Sequence, residues 1–209
     1  MTYRTKVIEL KNLPSAQEIL TARELKTYED FKVEKRRTEW LGGRYALKQL
    51  AMDFFTFNMQ QMEVHNTASG KPVLLVPGST HLPVSITHSG DYAAAAIALT
   101  GDNIGIDMEI IEKRGKEWAK MCFHEDEISS QVPFFLTELW AKKEAVSKFL
   151  GVGLSIDMKE IRFIGGRLTL YGKALDIWAQ LGSPNMTVDV TDIEGAYKLA
   201  VASEAPLIS

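Results

Sequence analysis

Apolar and other positions alternate along residues 104–109, Ile-Gly-Ile-Asp-Met-Glu, near the middle of the chain. That period of two predicts a strand. Side chains two apart on a strand share a face, so Asp107 and Glu109 point one way and Ile106 and Met108 the other. Upstream, Val7, Ile8 and Leu10 predict a first strand over residues 3–10. Residues 12–15 read as a turn, with Ser15 able to cap a helix from about Ala16. Residues 25–50 read as helix. Gly42 and Gly43 are unfavourable inside a helix and imply either close packing or a break between two helices. A turn at residues 69–72 precedes a short strand at 73–76, and Pro77-Gly78 turns the chain again. Residues 84–90 begin as an alternating strand and end in a turn of small residues. The alanine run within 91–98 has helix propensity, but its place between two turns and its small side chains predict a buried strand.

In the second half, residues 113–123 predict a helix with Trp118, Met121 and Cys122 on one side. Ser129 or Ser130 with Pro133 marks the start of another helix. It runs to about Leu150, buries Leu136, Leu139, Val146 and Leu150, and is stopped by Gly151 and Gly153. The tail offers strand-like pieces at 161–164, 167–171, 186–190 and 196–202. An echo runs through the chain: Trp40 to Lys48 resembles Trp140 to Lys148, and each helix precedes a turn-rich hairpin, a polar strand and an Ala-bearing strand. The echo predicts an α+β fold of two similar α/β halves, residues 1–103 and 104–209, packed as an internal pseudo-dimer.

Composition narrows the class. The chain has 209 residues, 45% of them hydrophobic and 24% charged, with a net charge of -3. This is an ordinary globular balance with no general attraction to nucleic acid. One cysteine, Cys122, excludes an intramolecular disulfide and fits a reducing compartment. No signal-peptide core opens the chain, and residues 93–99 are too short to cross a membrane. The expectation is a cytoplasmic protein, neither membrane-bound nor nucleic-acid-binding.

Two carboxylates on one face of a short strand, with no Lys or Arg inside it, repel each other. They are either solvated surface acids or ligands of a hard cation such as Mg2+. Downstream, Glu144 and Lys148 are four apart on the predicted helix and share a face. They form either an ordinary helical ion pair or a third metal carboxylate with a phosphate-binding lysine. Of the basic residues Lys32, Lys35, Arg36, Arg37, Arg44 and Lys48, most read as a solvated helix face. Arg44 follows two glycines and precedes an apolar stripe, which places it at a cleft. His88 ends a strand among hydroxyls and a glycine, where it is either structural or a ligand contact.

Together these stretches resemble the 4'-phosphopantetheinyl transferases of the surfactin-synthetase type. The acidic strand Ile104-Gly105-Ile106-Asp107-Met108-Glu109, then Phe123 with Glu127, then Trp140, Lys143, Glu144, Ala145 and Lys148 stand in the family's order. Gly70-Lys71-Pro72 and Thr87-His88-Ser89-Gly90 add to the match. The resemblance implies Mg2+-dependent transfer of the phosphopantetheine arm of coenzyme A to a serine of an apo acyl or peptidyl carrier protein. Adenosine 3',5'-bisphosphate is the second product, and the enzyme is expected to act as a monomer. It implies that Asp107, Glu109 and Glu144 bind Mg2+ and that Lys148 contacts the phosphate. Thr87 and His88 would hold the 3'-phosphate, and Lys71 and Arg44 would line the nucleotide end. Glu144 is the expected base for the serine, with a bound water or Glu127 as alternatives. The stretch between Phe123 and Trp140 is short for the family. The competing readings are a metal-dependent phosphohydrolase and a non-catalytic nucleotide-binding module. The helix over 113–123 offers Lys113, Arg114, Lys116 and Lys120 beside Trp118 and Met121 as a face for an acidic carrier.

Overall fold

In the first part of the chain, strand β1 (Tyr3–Glu9) is followed by the short helices α1 (Ala16–Ile19) and α2 (Ala22–Asp30) and the long helix α3 (Glu34–Ala51). Strands β2 (Glu63–Asn66), β3 (Pro72–Leu75), β4 (Leu82–Ser89) and β5 (Tyr92–Ala98) complete it. This computed structural model describes residues 2–68, 70–78 and 81–205, so Ser69 of the expected turn lies outside the described residues. The five strands form one sheet in the order β1-β5-β4-β3-β2, with antiparallel neighbours. The alanine run is β5, buried along its whole length. Its alanines let α3 lie close on the sheet, with Gly42 against Ala93. Ala46, Leu47 and Leu50 of α3 pack with Leu74, Val84, Ala95 and Ile97 of the sheet.

The helical stretch breaks at residues 31–33, between α2 and α3, and not at the glycine pair. Gly42 and Gly43 lie buried inside α3. A Cβ on Gly42 would stand 2.2 Å from Leu10 Cδ2, and one on Gly43 would stand 2.5 Å from Ile86 Cγ2. The pair therefore serves close packing of helix on sheet. Lys48, expected on a solvated face, is fully buried. Its ammonium pairs with Glu24 and donates to Ile19 O at 2.9 Å. An isolated buried ammonium would be costly, and the carboxylate offsets that cost.

The second part begins with β6 (Ile104–Ile110), then the helices α4 (Lys116–Cys122) and α5 (Pro133–Phe149). The hairpin β7 (Ile161–Ile164) and β8 (Arg167–Leu170) follows, then helix α6 (Gly172–Gln180) and strands β9 (Met186–Ile193) and β10 (Tyr197–Glu204). The sheet order is β6-β10-β9, and β7-β8 form their own pair. The stripe Leu136, Leu139, Val146 and Leu150 is buried as its spacing predicts. Met121 is the exception on α4: it is 68% exposed, while Trp118 packs inward and Cys122 is buried. Neither β2 nor α6 stands out in the sequence pattern.

By their contacts the residues divide into two units, Met1–Ile104 and Gly105–Ser209. Each runs from a leading strand through a long helix and a hairpin to an antiparallel pair. In each, the leading strand lies beside the last: β1 beside β5 and β6 beside β10. The plans differ in the hairpin, which joins the sheet in the first unit and stands apart in the second.

One feature of this repeat was invisible in the sequence. In the first unit Glu24, capping α2 through Thr21, takes the buried ammonium of Lys48 and accepts from Val64 N of β2 at 3.0 Å. In the second, Glu127 caps a short 3-10 turn through His124 N and takes the buried ammonium of Lys143 at 2.9 Å. Its other oxygen accepts from Phe163 N of β7 at 3.0 Å. Lys143 also donates to Cys122 O at 3.1 Å and Met158 O at 3.0 Å. Both latches tie a long helix to the element before it, α2 in the first unit and the 3-10 turn in the second, and to the hairpin after it.

Candidate active site

β6 is the edge of its sheet, yet its acids are not solvated. Asp107 is 3% exposed and Glu109 is half-buried, while Ile104, Ile106 and Met108 on the other face fill the core. Gly105 sets what comes next to them. A Cβ there would lie 1.9 Å from Ala145 O and 2.5 Å from Phe149 N, so only glycine lets the backbone of α5 rest on the strand. That close approach brings the Glu144–Lys148 turn of α5 beside Asp107. Lys148 Nζ donates to Asp107 Oδ1 at 2.7 Å and to Ile106 O at 3.0 Å. Lys148 is thus an ion-pair partner of the strand rather than of Glu144 one turn back.

Glu109 has two partners. Arg114 Nη2 reaches Oε2 at 2.5 Å, and the Trp140 indole N–H donates to Oε1 at 3.1 Å. Trp140, Trp118 and Phe123 pack edge to face, with centroids 5.3–6.5 Å apart, and wall this side of the cluster. The acids on the strand therefore do have neighbouring cations, supplied by α5 and by the turn before α4. Arg114, expected on the outer basic face, turns inward instead.

Electrostatics show that these cations do not fully balance the acids. Burial, then the nearby Asp107 charge, raises the Glu144 carboxyl to about 7, against a downward pull from Lys148. Burial and Asp107 likewise raise Glu109, with Arg114 opposing. In both, burial is the larger cause and the neighbouring acid the second. Among the described residues, no three His, Cys, Asp or Glu side chains converge tightly enough to hold a metal in the present geometry. Lys148 and Arg114 stand where a cation would neutralise Asp107 and Glu109. Three hard carboxylate oxygen donors on neighbouring elements match Mg2+ in kind. To hold one ion together they would need one of these pairs to open.

Glu127 is not available as a base. It is 3% exposed, and both oxygens are held in the Lys143 latch. Lys143, next to Glu144, points into the core.

Of the four residues expected at the nucleotide end, two share a hollow. Arg44 and His88 line a cavity of about 210 Å³ in the first unit, with Arg36, Trp40, Asn66 and Pro72. The Arg44 guanidinium stacks 3.2 Å above the Trp40 ring, and burial pulls it down to about 10. Its Nε is buried without a hydrogen-bond acceptor and lies 3.8 Å from Glu24 Oε1. His88 Nδ1 is 3.7 Å from Glu39 Oε1. Thr87, next along β4, is buried and does not line the hollow. Lys71 sits outside it too and donates to Asn103 Oδ1 at 2.8 Å. Trp40, read only as part of the internal echo, and Asn66 were not expected at this hollow; the Trp40–Arg44 spacing of one helical turn was the available signal.

Residues 103–200 match the model of the 4'-phosphopantetheinyl transferase superfamily. Residues 30–98 match that of the 4'-phosphopantetheinyl transferase N-terminal domain. A 4'-phosphopantetheinyl transferase, psf-1, of Bacillus pumilus is 27% identical over 184 residues, covering 84% of this chain and 74% of that one. A holo-[acyl-carrier-protein] synthase of Bacillus subtilis (strain 168) is 32% identical over 109 residues, 44% of this chain and 89% of that one. A crystal structure of a holo-(acyl-carrier-protein) synthase from Bacillus anthracis str. Ames, in complex with CoA (3',5'-ADP), is 26% identical with a TM-score of 0.40. It covers 46% of this chain and 92% of that one. The chain belongs to the 4'-phosphopantetheinyl transferases and is an enzyme of that class.

Proposed function

We propose that this enzyme transfers the 4'-phosphopantetheine arm of coenzyme A to a serine of an apo acyl or peptidyl carrier protein, with release of adenosine 3',5'-bisphosphate. The observation that carries the reading is the Asp107–Glu109–Glu144 cluster with Lys148 beside it. In the reaction the serine oxygen attacks the phosphorus bearing the pantetheine arm, the pyrophosphate P–O bond breaks, and charge builds on the leaving phosphate. Positioning and charge stabilisation dominate such transfers.

Asp107, Glu109 and Glu144 are the residues that would hold Mg2+. When bound, the ion neutralises pyrophosphate charge and favours the leaving group. Lys148 supplies a cationic donor for the phosphate. Glu144 is the base: its carboxylate takes part in neither ion pair, and the bound cation would keep it ionised and able to accept the serine proton. Arg44 and His88 serve the nucleotide end from their shared hollow, while Lys71 and Thr87, which the resemblance also implies there, lie outside it. On α4, exposed Lys116, Lys120 and Met121 offer an acidic carrier a basic face with an apolar anchor.

The test is intact-mass spectrometry of several apo carriers after incubation with coenzyme A and Mg2+. The expected result is a gain of one phosphopantetheine on at least one carrier, lost with excess chelator. Release of inorganic phosphate from coenzyme A without carrier modification would instead mark a phosphohydrolase and overturn the reading. No gain on any fatty-acid, polyketide or peptide carrier would do the same.

A further inference from the structure

Arg114 has no place in the chemistry above, yet it is built into the acidic cluster. Its side chain is 15% exposed. Nη2 meets Glu109 Oε2, and the guanidinium carbon lies 4.5 Å from the Trp118 ring centroid. Nε is buried without a hydrogen-bond acceptor, the nearest carboxylate being Glu112 Oε1 at 3.8 Å. A guanidinium has five N–H donors, and a structural buried arginine usually spends most of them. Here a single hydrogen bond, to Glu109, is formed among the described residues. The rest of the group lies on an aromatic face, which can hold a cation whether or not a carboxylate is present.

Glu109 is bracketed in turn. One oxygen faces the guanidinium and the other the Trp140 N–H. A cation arriving at this carboxylate has to displace a donor, and the ion pair is the direct electrostatic competitor. Asp107 is paired with Lys148 in the same manner, while the Glu144 carboxylate takes part in neither pair.

Resting on the metal reading of this site, we propose that Arg114 is an internal countercation that reserves Glu109. It holds the carboxylate in the metal-free enzyme, competes with the divalent ion for it, and remains stacked on Trp118 when the ion displaces it. Arg114 is therefore a positioning residue that sets metal affinity through Glu109. The residue arises from local sequence. Four residues lie between Glu109 and Arg114, and the short segment leading to Gly115, which caps α4, brings the side chain back to the strand end.

The experiment is Mn2+ binding to the whole enzyme, followed by electron paramagnetic resonance and calorimetry, without substrate. Wild type is compared with Arg114→Gln and with Lys116→Met, a control that removes a nearby exposed cation having no contact with Glu109. Circular dichroism confirms that each variant is folded. Loss of a direct competitor predicts Mn2+ binding on the order of tenfold tighter in Arg114→Gln, the equivalent of one charged hydrogen bond. Lys116→Met should change it less than about twofold, as expected for a screened surface charge. A second readout is tryptophan emission: Mg2+ should perturb it in wild type and much less in Trp118→Phe. Unchanged or weaker Mn2+ binding in Arg114→Gln, with wild type binding normally, overturns the role of Arg114 alone. Equal tightening in both variants also overturns it, since bulk charge would then suffice. No Mn2+ binding by wild type overturns the metal reading and this inference together.

Discussion

Glu144 is the base in the proposed reaction, and its protonation in the metal-free site is set by burial first and by Asp107 second. The sign of its effect on stability is definite. A carboxyl raised from 4.5 to about 7 in the folded chain keeps a proton that the unfolded chain has released across that interval. Stability from this group is complete below about pH 4.5 and is lost as pH rises through about 7. Metal-free wild type should therefore lose melting temperature relative to Glu144→Gln between those values and run parallel above them. Parallel curves throughout would show that Glu144 ionises like a surface acid. In single-turnover assays at saturating coenzyme A and Mg2+, Glu144→Gln should fall by at least about a hundredfold, the usual worth of a positioned base. A rate near wild type would remove it from the base role. Spacing alone put Asp107 and Glu109 on one face of β6, and Glu144 was singled out by its place one turn before Lys148 on α5. It hid their partners: Lys148 pairs across to β6 and Arg114 folds back over it, and both are tertiary events that no local period encodes.

At the scale of elements, the site depends on how closely α5 rests on β6. Gly105 is the contact that permits it. Gly105→Ala would place a methyl inside the helix backbone, so α5 must lift or shift. Overpacking of this kind costs about 1–3 kcal/mol, and here the obstacle is main chain rather than a flexible side chain. The expected outcome is a lowered denaturation midpoint together with weaker Mn2+ binding, because Asp107 and Glu144 separate. A variant as stable as wild type with full Mn2+ affinity would refute the packing argument. The long helices, the buried alanine strand and the acidic strand were legible because each carries a sustained period or clear punctuation. α6 and β2 were not. The first is nine residues in a tail that alternates like strand, and the second is four residues with one buried side chain.

For the molecule as a whole, the repeated Glu–Lys latch predicts how damage divides. Removing one partner of a buried pair costs about 3–5 kcal/mol, because the other charge is left uncompensated. Lys48→Met strips Glu24 of its ammonium in the first unit; Lys143→Met does the same to Glu127 in the second. Lys143→Met should chiefly weaken Mn2+ binding, and Lys48→Met should chiefly weaken binding of adenosine 3',5'-bisphosphate. Calorimetry with each ligand separates the two. Equal loss of both ligands in both variants would mean that the units fail together. Neither latch was readable in advance: a lysine on a helix reads as solvated until its neighbours are known, and Lys48 was counted with the exposed basic face. The echo around the two tryptophans was readable, since it repeats residue types at matched spacing.

Cys122 gives the second latch a reporter. Its carbonyl receives the Lys143 ammonium, its thiol is buried, and burial raises the thiol above its ordinary value. It is the chain's only cysteine. A thiol-specific reagent can therefore mark the protein once, and only while the end of α4 is open. The rate of that marking, divided by the rate for the unfolded chain, is an equilibrium constant for opening. The enzyme thus contains an intrinsic gauge of breathing beneath its acidic cluster, readable without any introduced label.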